Sequence, residues 1–164
     1  MGFLTSPHGR VQNNAWALNV SRDIMGRVSG FSFSGSVDAV FVQTEHNVIL
    51  SNSLPFSGHL STIQPTINNR PGRMTTVAMV GHFSRGETWG QVVDDDHRGT
   101  LNGVFFTNLT RTNIRAIGGD SGGLVFITGS NIVAGLVMAN DPANNAMIFV
   151  KSDLAHAVLG VEMY

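Results

Sequence analysis

Cysteine is absent from the whole chain. That excludes disulfides, cysteine-based zinc sites and thiol catalysis together. A secreted protein without disulfides must rest on core packing, or else work where disulfides do not form. Charge is scarce as well. Asp, Glu, Lys and Arg make up 13% of the residues, and the net charge is −1. Without a basic excess there is no electrostatic case for binding nucleic acid or an anionic membrane surface. No apolar run approaches the roughly 20 residues of a membrane-crossing helix. The first residues also lack the basic-then-apolar order of a signal peptide. Nothing in the sequence calls for a cofactor. The run Asp94-Asp95-Asp96-His97 reads as a solvated polar loop and not as a metal site, because calcium loops alternate their ligands along the chain.

What is present is globular and strand-forming. Hydrophobic residues reach 42%, enough to bury a core in a chain of 164 residues. Nineteen glycines and ten phenylalanines, with many Val, Thr and Ser residues, favour short strands and tight turns. Strands are expected over 2–5, 15–20, 27–33, 37–42, 48–50, 73–80, 88–93, 104–109, 124–128, 132–139 and 146–150. Residues 52–72 are rich in Ser, Pro, Asn and Gly and read as a connection. A short helix is expected over 152–159, capped by Ser152 or Asp153 and ended by Gly160. Short strands with regular turns indicate an all-β barrel or sandwich.

One stretch stands out, Gly118-Gly119-Asp120-Ser121-Gly122-Gly123, with Ile117 before it and Leu124 after it. Glycines cluster where the backbone turns tightly or approaches another group closely. A serine on such a turn presents its hydroxyl outward, and neighbouring N–H groups converge as an oxyanion hole requires. A serine hydroxyl needs a base to take its proton, usually a histidine held by a carboxylate. Of six histidines, His8 is set apart by its context, a small-residue turn just after an apolar strand. Among the acids, Asp38 lies inside the apolar run Val37-Asp38-Ala39-Val40-Phe41-Val42. A lone acid there is costly without a partner, and a ring N–H is a natural one.

Gly2-Phe3-Leu4-Thr5 leading to His8, then Asp38-Ala39 with Phe41-Val42, then the glycine-rich serine stretch, stand in the order His, Asp, Ser. That order and these motifs resemble the chymotrypsin-fold serine peptidases, most of all the small bacterial branch with α-lytic protease and the streptogrisins. The stretches 86–92, 132–137 and 155–164 are similar to that branch too, so the likeness covers nearly the whole chain. It implies an all-β fold of two antiparallel barrels of the six-stranded type, with a short C-terminal helix. Residues 1–60 would belong to the first barrel, 61–72 to the link, and 73–164 to the second barrel and helix.

The resemblance also implies roles. Ser121 would attack the scissile carbonyl, His8 would relay the proton, and Asp38 would orient His8. The N–H groups of Gly119 and Ser121 would form the oxyanion hole. Asp120 would be buried and would support that loop through a cationic partner, with His82 and Arg85 both near the place. Ile117 and Gly118 would line the substrate pocket. Met138, Ala139 and Asn140 would form the edge that pairs with a polypeptide substrate. Ile114, Ala116 and Ile117 point to a small or apolar preference, with Arg115 facing outward. Only seven residues precede His8, where this family has several strands. The first barrel is therefore expected to be truncated, and an upstream chain segment or a second subunit is expected to complete it. The activity so implied is peptide-bond hydrolysis through an acyl-enzyme. The alternatives are a non-catalytic peptide-binding or scaffold module and a self-processing protease domain.

Overall fold

The structure is a computed structural model, and it describes residues 1–8, 11–19, 21–54, 58–61, 65–84 and 86–162. Four antiparallel strands open the chain: β1 (Gly2–Thr5), β2 (Trp16–Leu18), β3 (Ile24–Ser34) and β4 (Val37–Thr44). They form one sheet in the order β1-β4-β3-β2. β4 is an inner strand of this sheet, and its first four residues and Val42 are buried. A minimal ladder of β5 (Ser53–Leu54) and β6 (Gly58–His59) follows, and then a single 3₁₀ turn, Ile67–Asn69.

The second half is a closed barrel. Its strands are β7 (Thr76–Gly81), β8 (Gly86–Leu101), β9 (Val104–Thr112), β10 (Leu124–Ile127), β11 (Ile132–Asp141) and β12 (Ala146–Lys151). They run in the order β10-β11-β12-β9-β8-β7, and β7 pairs back to β10. Val77, Met79, Val125, Val137 and Phe149 fill the interior. A second apolar cluster joins the halves: Val37 and Ala39 of β4 pack with Phe106, Leu136, Met138 and Val150 of the barrel. The helix α1 (Ser152–Leu159) seals this seam with the fully buried Ala155. Arg70, just before the barrel, bridges to Asp153 of the helix at 2.6 Å.

Several expectations are corrected. Residues 48–50 form no strand; Ile49 is 94% exposed and, among the described residues, no neighbouring strand supplies the ladder that β-propensity depends on. The acidic run 94–97 is not a loop but part of β8, which β9 pairs along its length. Register shifts on both sides of Asp94 and of His97 let the polar side chains turn aside. Asp94 meets His97 at 3.4 Å, and Asp96 meets Arg98 at 3.3 Å. The helix is capped by neither Ser152 nor Asp153: its N-cap is Lys151, and the Ser152 hydroxyl donates to Val133 O instead. Gly160 ends the helix in the left-handed conformation, as expected.

The barrel is six-stranded, whereas the first half is, among the described residues, an open four-stranded sheet. Its apolar face, with Val28, Val40 and Val42, borders a cleft of about 730 Å³.

Candidate active site

Register brings His8 to Asp38. β1 pairs with β4 so that Gly2 faces Gln43 and Thr5 faces Val40. The residues after Thr5 therefore run on beside Ala39 and Asp38. Asp38, the second residue of β4, is fully buried. Its Oδ2 accepts the Ser6 hydroxyl at 2.5 Å and lies 3.1 Å from His8 Nδ1, while Oδ1 accepts the His8 backbone N–H at 3.2 Å. A carboxylate accepts, so in the neutral ring the tautomer that fits this contact carries its hydrogen on Nδ1 and its lone pair on Nε2. His8 is held with a backbone φ of 53°, a region uncommon for residues other than glycine.

Ser6 is a residue that sequence reading missed. Pro7 has no N–H to give Asp38, and the hydroxyl one residue earlier supplies the donor. Nothing in the sequence singles it out, since serine is common in turns. Replacing it leaves a buried carboxylate short of a charge-assisted bond. Ser6→Ala is expected to cost about 2 kcal/mol of stability, read as a lower urea midpoint with an unchanged slope. An unchanged midpoint would show that this hydroxyl does not hold Asp38.

The serine loop comes from the barrel, between β9 and β10. Its contact with the first sheet is direct: a Cβ placed on Gly122, whose φ is +81°, would lie 2.0 Å from Thr5 Oγ1 and 3.0 Å from Ser6 N. The loop is thus pressed on the turn that carries His8. Ser121 Oγ donates to Met138 O at 3.4 Å, and among the described residues no hydrogen bond joins it to His8.

The loop's backbone divides into used and unused donors. Asp120 N–H bonds Ile117 O at 3.1 Å, Gly122 N–H bonds Val137 O at 2.8 Å, and Gly123 N–H bonds Asp120 O at 2.8 Å. The N–H groups of Gly118, Gly119 and Ser121 have no acceptor among the described residues.

Asp120 is fully buried behind the loop. It accepts N–H groups from Phe83 (2.9 Å), Ser84 (3.0 Å) and Ile117 (3.0 Å), and the Ser84 hydroxyl closes tightly on Oδ2. Burial alone would raise this carboxyl, but the Ser84 hydroxyl and the three backbone donors outweigh it and hold the group below its ordinary 3.8. A depressed carboxyl stabilises the fold above its unfolded value, so this contribution is present above about pH 3.8 and fades as the pH falls below it. The expected cation is not among the described partners. His82 stands edge-on to Phe83 instead, with ring centroids 4.9 Å apart. Arg85 lies outside the described residues. Ser84 went unnoticed because one serine in a hairpin turn carries no distinctive signal.

Of the expected pocket residues, Ile114 and Ala116 are buried in the barrel core, and Arg115 is exposed. Ile117 is 40% exposed beside the serine loop, and Gly118 is exposed as well. Along β11, pairing with β10 ends at Leu136, and Gly122 and Gly123 take up Val137. Past that point Met138, Ala139 and Asn140 keep one backbone edge unpaired among the described residues, apart from Ser121 Oγ on Met138 O.

No family model matches the sequence, and no curated protein matches it. Solved structures do match. The chymotrypsin of Cellulomonas bogoriensis superposes with a TM-score of 0.79 at 22% identity, over 99% of this chain and 85% of that one. The chain has the chymotrypsin fold. Protease A of Thermobifida fusca matches at 0.77 and 20% identity, over 99% and 83%. A Nocardiopsis protease matches at 0.78 and 19%, over 99% and 84%. At such identities the likeness speaks for the chymotrypsin fold, and chemistry has to be argued from the site. In this chain the fold draws His8 and Asp38 from the open sheet, Asp120 and Ser121 from the closed barrel, and joins them at Gly122.

Proposed function

We propose that the protein is a serine endopeptidase. The observation that carries this reading is the His8–Asp38 pair, with its carboxylate wholly buried and the turn that leads to His8 pressed against the serine loop at Gly122. In the proposed reaction Ser121 Oγ attacks the scissile carbonyl while its proton passes to His8 Nε2. Asp38 fixes the tautomer and stabilises the imidazolium that forms. The unused N–H groups of Gly119 and Ser121 receive the oxyanion. His8 then returns the proton to the leaving amine, and water releases the acyl group by the reverse path. Asp120 acts from behind as loop support. Ile117 and Gly118 meet the side chain before the cut bond, and Met138, Ala139 and Asn140 pair with the substrate backbone by strand addition.

A second reading, a peptide-binding module without turnover, is favoured by one observation: the Ser121 hydroxyl is engaged by Met138 O and not by His8. That bond is long for O–H···O, and catalytic bonds often tighten only with substrate in place. Mass spectrometry of a mixed peptide pool separates the two. The peptidase reading predicts internal cleavage products that disappear in Ser121→Ala. Peptides that bind and stay intact with the unaltered protein would establish the second reading.

A further inference from the structure

We propose that Ser84 is the positioning residue for the oxyanion loop, and that the turn at 82–84 sets this loop through neutral donors to Asp120. The inference rests on the peptidase reading for its catalytic consequence, but its geometry stands apart from it.

Three features converge on this turn. First, both Asp120 oxygens are occupied from it: Oδ1 by the N–H groups of Phe83 and Ser84, Oδ2 by the Ser84 hydroxyl and, from the loop itself, by Ile117 N–H. Four donors saturate one buried carboxylate without any charged partner among the described residues. Second, the space is closed to anything larger. A Cβ on Gly81 would stand 2.3 Å from Asp120 Oδ1, so β7 ends directly against the carboxylate. Third, Phe83 lies on the loop from outside. A Cβ on Gly119, whose φ is +100°, would fall 2.1 Å from Phe83 Cδ2. Phe83 is nonetheless 57% exposed, so its position is a packing choice of the turn and not a core requirement. The turn therefore grips the loop on two sides, from Ser84 beneath through Asp120 and from Phe83 above on Gly119. Between these grips lie the Gly119 and Ser121 N–H groups assigned to the oxyanion.

A donor lost here changes where those two N–H groups point. It does not change what the substrate side chains touch. The expected signature is therefore a fall in turnover without a matching rise in KM. An ångström of misplacement in an oxyanion donor is worth on the order of 100-fold.

The experiment compares the unaltered protein with Ser84→Ala, Ser84→Thr and Arg85→Gln. Peptide turnover is measured together with hydrogen exchange over 117–123, and fluorophosphonate labelling of the unaltered protein serves as the parallel check. Ser84→Ala is expected to lower kcat by about 100-fold with KM within about twofold. It is also expected to speed exchange in 117–123 while β7 and β11 stay protected. Ser84→Thr, which keeps the hydroxyl, is expected to restore both. The proposal is overturned if Ser84→Ala keeps both kcat and protection. It is equally overturned if Arg85→Gln reproduces the loss and Ser84→Ala does not. If the unaltered protein neither labels nor turns over, the peptidase reading is what fails. The exchange comparison then decides by itself whether Ser84 holds the loop.

Discussion

Asp38→Asn is expected to reduce turnover about ten-thousand-fold at neutral pH. The reason is a count of donors. Three hydrogens point at the carboxylate: the His8 backbone N–H on Oδ1, and the Ser6 hydroxyl and His8 Nδ1 on Oδ2. An asparagine has one acceptor oxygen and one NH₂ group. The backbone N–H cannot reverse, so the amide oxygen has to take the Oδ1 place, and the NH₂ group then faces Ser6 and the ring. A hydroxyl can rotate to accept. The ring can accept at Nδ1 only by moving its proton to Nε2, the atom that must accept the serine proton. The variant would fold with its base in the wrong tautomer. Steady-state kinetics on one peptide substrate checks this, with circular dichroism to confirm the fold. Turnover within tenfold of the unaltered protein would mean that the pair is structural.

Gly122→Ala is expected to damage activity as well, for a steric reason. The added methyl falls 2.0 Å from Thr5 Oγ1 and 3.0 Å from Ser6 N. Either the serine loop backs away from β1 or the end of β1 moves, and both separate Ser121 from His8. A loss of at least about 100-fold in kcat/KM follows, with a stability cost of about 3 kcal/mol. Gly129→Ala is the matched control. Its φ is +82°, almost the same, but a Cβ there meets nothing within 4 Å. Backbone strain alone predicts about 1–2 kcal/mol and unchanged kinetics. Equal kinetic losses in the two variants would show that the contact with Thr5 and Ser6 is irrelevant to the site.

The legible and illegible parts of this chain differ in kind. Asp38 was readable because an acid inside Val37–Val42 needs a partner wherever the strand goes, and the β1–β4 register supplies His8. The glycines around Ser121 were readable because they answer to local geometry, and Gly119 and Gly122 do take positive φ. Ser6 and Ser84 were not readable. Serine is common in turns, and what singles out these two is a carboxylate brought from 32 and 36 residues away. Asp120 shows the same limit: the sequence shows which group needs donors, not which donors the packing supplies. The acidic run in β8 was misread because polarity was taken for a loop, whereas β9 offers it a continuous ladder. The opposite error at 48–50 took three apolar residues for a strand that nothing pairs.

The central claim is that Ser121 is a nucleophile activated by His8. A fluorophosphonate probe tests it most directly, by mass-mapping the labelled peptide in the unaltered protein and in His8→Ala. The account predicts one adduct, on Ser121, that forms readily in the unaltered protein and is lost when the histidine is removed. An unaltered, folded protein that takes up no label, or that labels Ser121 equally well without His8, would contradict it.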